Sequence, residues 1–127
     1  MADLNPYFKS IIDQDREAVV ICDLNHIIIY MNPAAVVDYK KYGGASLLGK
    51  SLLACHTPHS VEAIRKVVEW FAADASHNIV YTYHNAKHDR DVYMVALRDE
   101  DGTLIGSEEH TSELQSRQYL VCRLLLE

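Results

Sequence analysis

Apolar and polar positions change period several times along this chain. Residues 18–22 and 27–31 are two short apolar runs rich in Val and Ile, with Asp23, Leu24, Asn25 and His26 between them. Such runs around Asp and Asn predict a β-hairpin, because Asp and Asn bond their own backbone and tolerate turn conformations. Asn32 and Pro33 then stop the second run. Asn offers a capping oxygen and Pro fits a first helical turn, so a helix is predicted from there to about Lys41, ending at Gly43 and Gly44. An earlier helix is predicted at Asn5 and Pro6, with Asn5 as its cap and Tyr7, Phe8, Ile11 and Ile12 as its apolar stripe.

Residues 46–55 are mixed and predict short helical turns, and Thr57 and Pro58 repeat the cap-and-proline signal. Val61, Ile64, Val67, Val68 and Phe71 follow at three-to-four spacing, which predicts the longest helix, with Glu62, Arg65, Lys66 and Glu69 facing water. Strands are predicted at 78–84 and 91–98 around a turn at 85–89. Asp99, Glu100, Asp101 and Gly102 make another turn, and a last strand begins at 103–106. Two marginal hairpins at opposite ends of a chain gain stability by meeting. The expectation is an α+β fold: one five-stranded antiparallel sheet with the helices on one face and room for a cavity between them.

With 127 residues the chain is expected to form a single domain. Its net charge of -6 argues against a direct nucleic-acid surface, which needs clustered Lys and Arg. No apolar run approaches a membrane span, and the first residues, MADLNPYFKS, lack the basic-then-apolar plan of a secretory signal. Cys22, Cys55 and Cys122 are an odd set without framework spacing, so a reducing, cytoplasmic setting is expected.

The tail SEEHTSELQSRQYLVCRLLLE breaks the pattern. Its residues 107–116 are the in-frame translation of TCG GAA GAG CAC ACG TCT GAA CTC CAG TCA, a sequencing-library adapter, and residues 120–127 translate that adapter's continuation. Arg117, Gln118 and Tyr119 fall where its variable index lies. The plain alternative is a Glu-rich helix ending in Leu residues. On the adapter reading, residues 107–127 are a non-native tail, the native C-terminus is lost after about Gly106, and the final strand is incomplete.

Three stretches together resemble a PAS domain: AVVICDLNHIIIYMNPAA as its first hairpin and the Asn opening its first helix, SLLGKSLLACHTPHS as the segment leading to its long helix, and DVYMVALRDEDGTLIG as its last hairpin. The resemblance spans residues 15–106, with residues 1–14 as an N-terminal helical segment. It implies a small bacterial-type sensory module for signal transduction, often dimeric and often attached to signalling proteins or transcriptional regulators. It also implies that the final strand lies centrally in the sheet and leads to an output segment.

The cluster Cys55-His56-Thr57-Pro58-His59 is the first candidate site, because it opens the long helix beside the expected cavity. Some PAS domains hold haem through a histidine near this helix, so His56 or His59 would be the iron ligand, or Cys55 a thiolate ligand. The plain alternative makes Cys55 a small buried hydrophobe. Tyr30 and Trp70 are further candidates for lining the pocket, with Tyr81, Tyr83 and Tyr93 beside them; the pattern does not decide which face of residues 79–84 points inward. His26, His84 and His88 fall in or beside turns and are expected to be solvated.

The flavin-binding branch of the family carries a glycine-x-asparagine-cysteine-arginine run that has no counterpart here, so flavin is not expected. Cys22 and Cys55 lack the paired spacing of a zinc site. A Cys55 nucleophile with His56 or His59 as base would need adjacent residues to face each other, and no oxyanion site accompanies them, so no enzyme is expected. The Tyr7, Phe8, Ile11 and Ile12 stripe would cover an apolar outer sheet face, in the same chain or in a homodimer. Three functions remain: a sensor of a small ligand or cofactor, a haem-based gas or redox sensor, and a ligand-free dimerisation module. A cavity between long helix and sheet separates the first two from the third.

Overall fold

The structure is a computed structural model that describes residues 3–85 and 89–112, with Cys55 and Tyr83 described by their backbone alone. It contains α1 (Asn5–Gln14), β1 (Val19–Asp23), β2 (Ile28–Met31), α2 (Pro33–Asp38), α3 (Pro58–Ala73), β3 (Ile79–Asn85), β4 (Arg90–Arg98) and β5 (Leu104–Ser112). Three short 3₁₀ segments, Lys40–Tyr42, Gly44–Leu47 and Leu52–Cys55, connect α2 to α3. The strands form one sheet in the order β2-β1-β5-β4-β3, and every neighbouring pair is antiparallel. This is the α+β architecture expected from the pattern.

The first hairpin closes through Asp23, whose carboxylate accepts from the backbone of Asn25 at 2.9 Å and Ile27 at 3.0 Å. Asn32 caps α2 as expected, accepting from Ala35 N. The α-helix stops at Asp38 rather than Lys41, and the chain continues as a tighter 3₁₀ turn. Gly44 explains part of that change: its φ is +55°, and a Cβ there would crowd the carbonyl of Val36 at 3.3 Å. Thr57 caps α3 by accepting from Ser60 N at 3.2 Å, with Pro58 in the first turn.

The core lies between α3, α2 and the inner face of the sheet. Ile64 and Phe71, two turns apart on α3, are buried against Val20, Cys22 and Met94, with Val67 and Val68 packed beside them. Ala35, Leu47 and Leu52 close the cluster from the other side. Arg98 fastens the end of α3 to the sheet, because its guanidinium donates to the carbonyl of Phe71 at 2.7 Å and to Asn78 Oδ1 at 2.7 Å.

Two expectations need correction. Asn5 does not cap α1: Leu4 holds that position and makes no side-chain bond. Nor does α1 cover the outer sheet face in its own chain. None of its residues is buried, and Tyr7, Phe8 and Ile11 are 63%, 54% and 71% exposed. The helix is held instead by polar contacts, with the Tyr30 hydroxyl bonded to Asp13 and the Asn32 amide donating to the Ile12 carbonyl.

The last strand does not stop at Gly106. Residues 107–110 pair with β1 and residues 107–112 with β4, so the first part of the expected tail forms the centre of the sheet. At Gly106 the backbones approach too closely for a side chain, since a Cβ there would collide with the Cys22 carbonyl. Residues 113–127, which include Cys122, lie outside the described residues.

Candidate functional site

Two adjoining cavities lie between the inner sheet face and the segments that cover it. The first, about 460 Å³, is bounded by Val20, Val92 and Thr111 on the sheet and by Tyr39 after α2. The second, about 330 Å³, is bounded by Thr82 and Met94 on the sheet and by Ile64 and Val67 on α3. His56 and Glu109 line both.

His56 follows the 3₁₀ segment Leu52–Cys55 in extended backbone, which turns its ring toward the sheet. Its Nδ1 lies 2.8 Å from the Leu52 carbonyl. A carbonyl only accepts, so Nδ1 carries the hydrogen, and in the neutral ring Nε2 is left as the acceptor or metal-binding nitrogen. His59 stands in the first turn of α3, exposed at the edge of the second cavity.

Glu109 comes from β5. Its cross-strand partners are Val20 and Met94, 2% and 1% exposed, so a carboxyl projects from an otherwise apolar part of the sheet. The Tyr39 hydroxyl donates to its Oε1 at 3.1 Å. Burial pushes the Glu109 carboxyl above the ordinary glutamate range, opposed by the nearby His56 and by the Tyr39 hydrogen bond.

The site therefore joins some expected residues and omits others. His56 and His59 are brought to the cavities. Cys55 precedes them on the backbone, and its side chain lies outside the described residues. Tyr30 is not at the site, because its hydroxyl points to Asp13 of α1. Trp70 is not there either: it is 41% exposed near the end of α3 and stacks on His77 with ring centroids 4.0 Å apart. His84 is engaged rather than simply solvated, with Nδ1 2.8 Å from Asp91 and Nε2 3.2 Å from Asp89. His88 falls outside the described residues. Sequence reasoning missed Tyr39 and Glu109. The register puts 107, 109 and 111 on one face, but the run Ser-Glu-Glu-His-Thr-Ser is polar throughout, so no alternation in the sequence signals that Glu109 turns inward.

Residues 12–118 match the PAS fold family. The chain belongs to that family. Solved structures place it in the same fold. The PAS domain of a Colwellia psychrerythraea protein is 18% identical, with a TM-score of 0.64, over 87% of this chain and 96% of that one. The C-terminal domain of a Streptococcus mutans protein is 19% identical, with a TM-score of 0.68, over 89% and 87%. The Vibrio cholerae Aer2 receptor, a dual PAS-heme oxygen sensor, is 17% identical, with a TM-score of 0.54, over 75% and 91%. No curated protein matches this PAS domain. Among its described residues, no group of three His, Cys, Asp or Glu is placed to hold a metal ion, and no helix is long and apolar enough to cross a membrane.

The half-buried Glu109 carboxyl is expected to give this PAS domain a pH response. Glu109 binds its proton more tightly folded than unfolded, so between the ordinary glutamate range and its raised folded value the native state holds more protons. Stability is expected to be fullest below that window and to fall as pH rises through it, with a slope of at most about 1.4 kcal/mol per pH unit. The groups that act on Glu109 are His56 and Tyr39 across the cavity and its strand neighbours Glu108 and His110, whose side chains leave the opposite face of β5. Denaturation midpoints measured against pH should show the fall in the parent chain and lose it in Glu109→Gln. An identical profile in both would assign the response to another group.

Proposed function

We propose that this chain is a sensory PAS module that binds a small molecule in its paired cavities and relays occupancy through protein–protein contacts. One observation carries the proposal: two adjoining cavities share the polar groups His56 and Glu109, the second lined mainly by apolar side chains and the first by a mixture of apolar and polar ones, a few polar groups in a concave apolar site being the usual plan of a ligand site. A ligand there touches α3, the segment after α2 and the central strands at once. If it binds two arrangements of these parts unequally, it shifts their populations, and the exposed parts report the shift. The exposed Tyr7, Phe8 and Ile11 face of α1 is the proposed contact, with a second copy of the chain as occupant. The module is a binding protein rather than an enzyme, placed in the cytoplasm, with no nucleic acid or membrane as direct partner.

The test is mass analysis and an absorbance spectrum of the full chain purified from cells. A stoichiometric small molecule released on denaturation is expected. A chain that releases nothing and is stabilised by no member of a metabolite library would instead be a ligand-free dimerisation module.

One observation favours a second reading, haem. The Leu52 carbonyl fixes the His56 ring so that Nε2 is available to iron, and His56 lines both cavities. Haem would supply an iron centre for a diatomic gas or for redox change; His56 would supply a nitrogen ligand and Ile64, Val67 and Met94 an apolar wall. Haem titration should then give a Soret band that His56→Ala abolishes, while His59→Ala and His84→Ala leave it in place. No band, or a band indifferent to His56, removes haem and leaves the small-ligand reading intact.

A further inference from the structure

We propose that Glu109 selects the ligand, and that the cavities take a small molecule presenting an amine or another N–H-rich head group. Resting on the ligand-binding reading above, this adds a chemical class to it. Glu109 stands where the two cavities meet, between the buried Val20 and Met94. Its carboxyl accepts from one hydroxyl, that of Tyr39, and among the described residues no Lys or Arg forms an ion pair with it. The carboxyl is half-buried, and among the described residues the groups that favour its charged form are the imidazoles of His56 and His110 and the Tyr39 hydroxyl, so a full counter-charge within hydrogen-bond reach would stabilise it further. A bound ammonium supplies that counter-charge; a neutral ligand of the same shape does not.

The neighbouring groups fit the same head group. With Nδ1 donating to Leu52, the His56 ring in its neutral form offers Nε2 as a second acceptor. A primary amine carries enough hydrogens to reach both Glu109 and His56. The hydrocarbon part of such a ligand would lie against Ile64, Val67 and Met94 in the second cavity. Lys40 and Lys41 also border the first cavity, but both are exposed and sit beside the equally exposed Asp38, where solvent and salt screen them. Glu109 belongs to the segment that translates an adapter, so the selection is a property of this folded chain, and replacing Glu109 shows what the cavities take when that strand turns an apolar residue inward.

The test uses the full chain and three probes of matched shape: 2-phenylethylamine, 2-phenylethanol and phenylacetate. Calorimetric titration and thermal shift should show the amine binding at least about tenfold more tightly than the other two, each lost ion pair or charge-assisted bond being worth that much or more. Glu109→Gln, which keeps the shape and removes the charge, should weaken the amine by about tenfold and leave the alcohol within about twofold. Glu109→Leu should reverse the order of amine and alcohol. Circular dichroism of each variant checks that the fold is retained. Equal affinity for amine and alcohol in the parent chain, or unchanged amine binding in Glu109→Gln, overturns the selection but leaves a ligand-binding cavity. Failure of all three probes to bind also overturns it, and the cavity's function then rests on the co-purification result alone.

Discussion

A chain ended after Gly106 is expected not to fold. Residues 107–112 occupy the middle of the sheet, where Glu109 lies between Val20 and Met94, and Ser107 between Cys22 and Ala96. Removing them separates the β1–β2 hairpin from the β3–β4 hairpin, because β5 is the strand between them. An isolated hairpin is marginal in water. The loss also leaves Val20, Cys22 and Met94, each at most 2% exposed in the sheet, without neighbours along one side. The backbone of Ala18 loses both of its partners on Thr111: its carbonyl accepts from Thr111 N at 3.1 Å, and its N–H donates to Thr111 Oγ1 at 3.1 Å. Far-UV circular dichroism and thermal unfolding should show a collapsed or disordered chain without a cooperative transition. A truncated chain that melts cooperatively near the parent midpoint would mean that the sheet closes without these residues.

That expectation reverses what the tail's likeness to a translated adapter implies, and the reason is physical. Strand pairing is made by backbone N–H and C=O groups, which every residue except Pro supplies. A segment can therefore fill a central strand position whatever its origin, provided its inward side chains fit. Ser107 and Thr111 are small and polar enough to do so, and Glu109 is accommodated by the cavities. The wholly polar run Ser-Glu-Glu-His-Thr-Ser has no apolar alternation to reveal the strand that it forms.

Elsewhere, what was legible depended on whether the signal was local. The Asp23 turn, the Asn32 and Thr57 caps and the Asp99–Gly102 turn specify their own backbone, and the elements they bound are where the pattern placed them. The stripe Ile64 to Phe71 likewise defines the buried face of α3 from spacing alone. The misplaced residues depend on tertiary partners. Trp70 precedes Phe71 by one position, and one position on a helix is a different face. Tyr30 alternates to the side of β2 that meets α1, which no period in the strand reveals. The α1 stripe declares that something apolar should cover it, but not which surface. For β3 the register decides what the pattern left open, with Val80 packed on the core and Ile79 62% exposed.

Asn32→Ala is expected to lower stability by about 3–5 kcal/mol, a large part of the roughly 5–15 kcal/mol that holds an ordinary domain together. The side chain is wholly buried. Its Oδ1 accepts from Val19 N and Ala35 N, each at 2.9 Å, and its Nδ2 donates to the carbonyls of Ile12 and Glu17, each at 2.9 Å. One amide thus ties the end of α1, the approach to β1 and the start of α2 together. Truncation removes all four bonds and strands backbone donors and acceptors away from water, each at about 1–3 kcal/mol, less than additively because the segments relax together. Asn32→Asp separates the two halves of the effect. A carboxylate keeps the acceptor for Val19 and Ala35 but turns an oxygen toward the carbonyls of Ile12 and Glu17, so α1 and its linker should loosen while β1 and α2 stay paired. Denaturation midpoints give the first quantity. Amide hydrogen exchange gives the second, with protection lost in α1 and kept at Val19 and Ala35 in the Asp variant. A cost below about 1 kcal/mol for the alanine variant would place this amide among ordinary caps, which typically contribute that much.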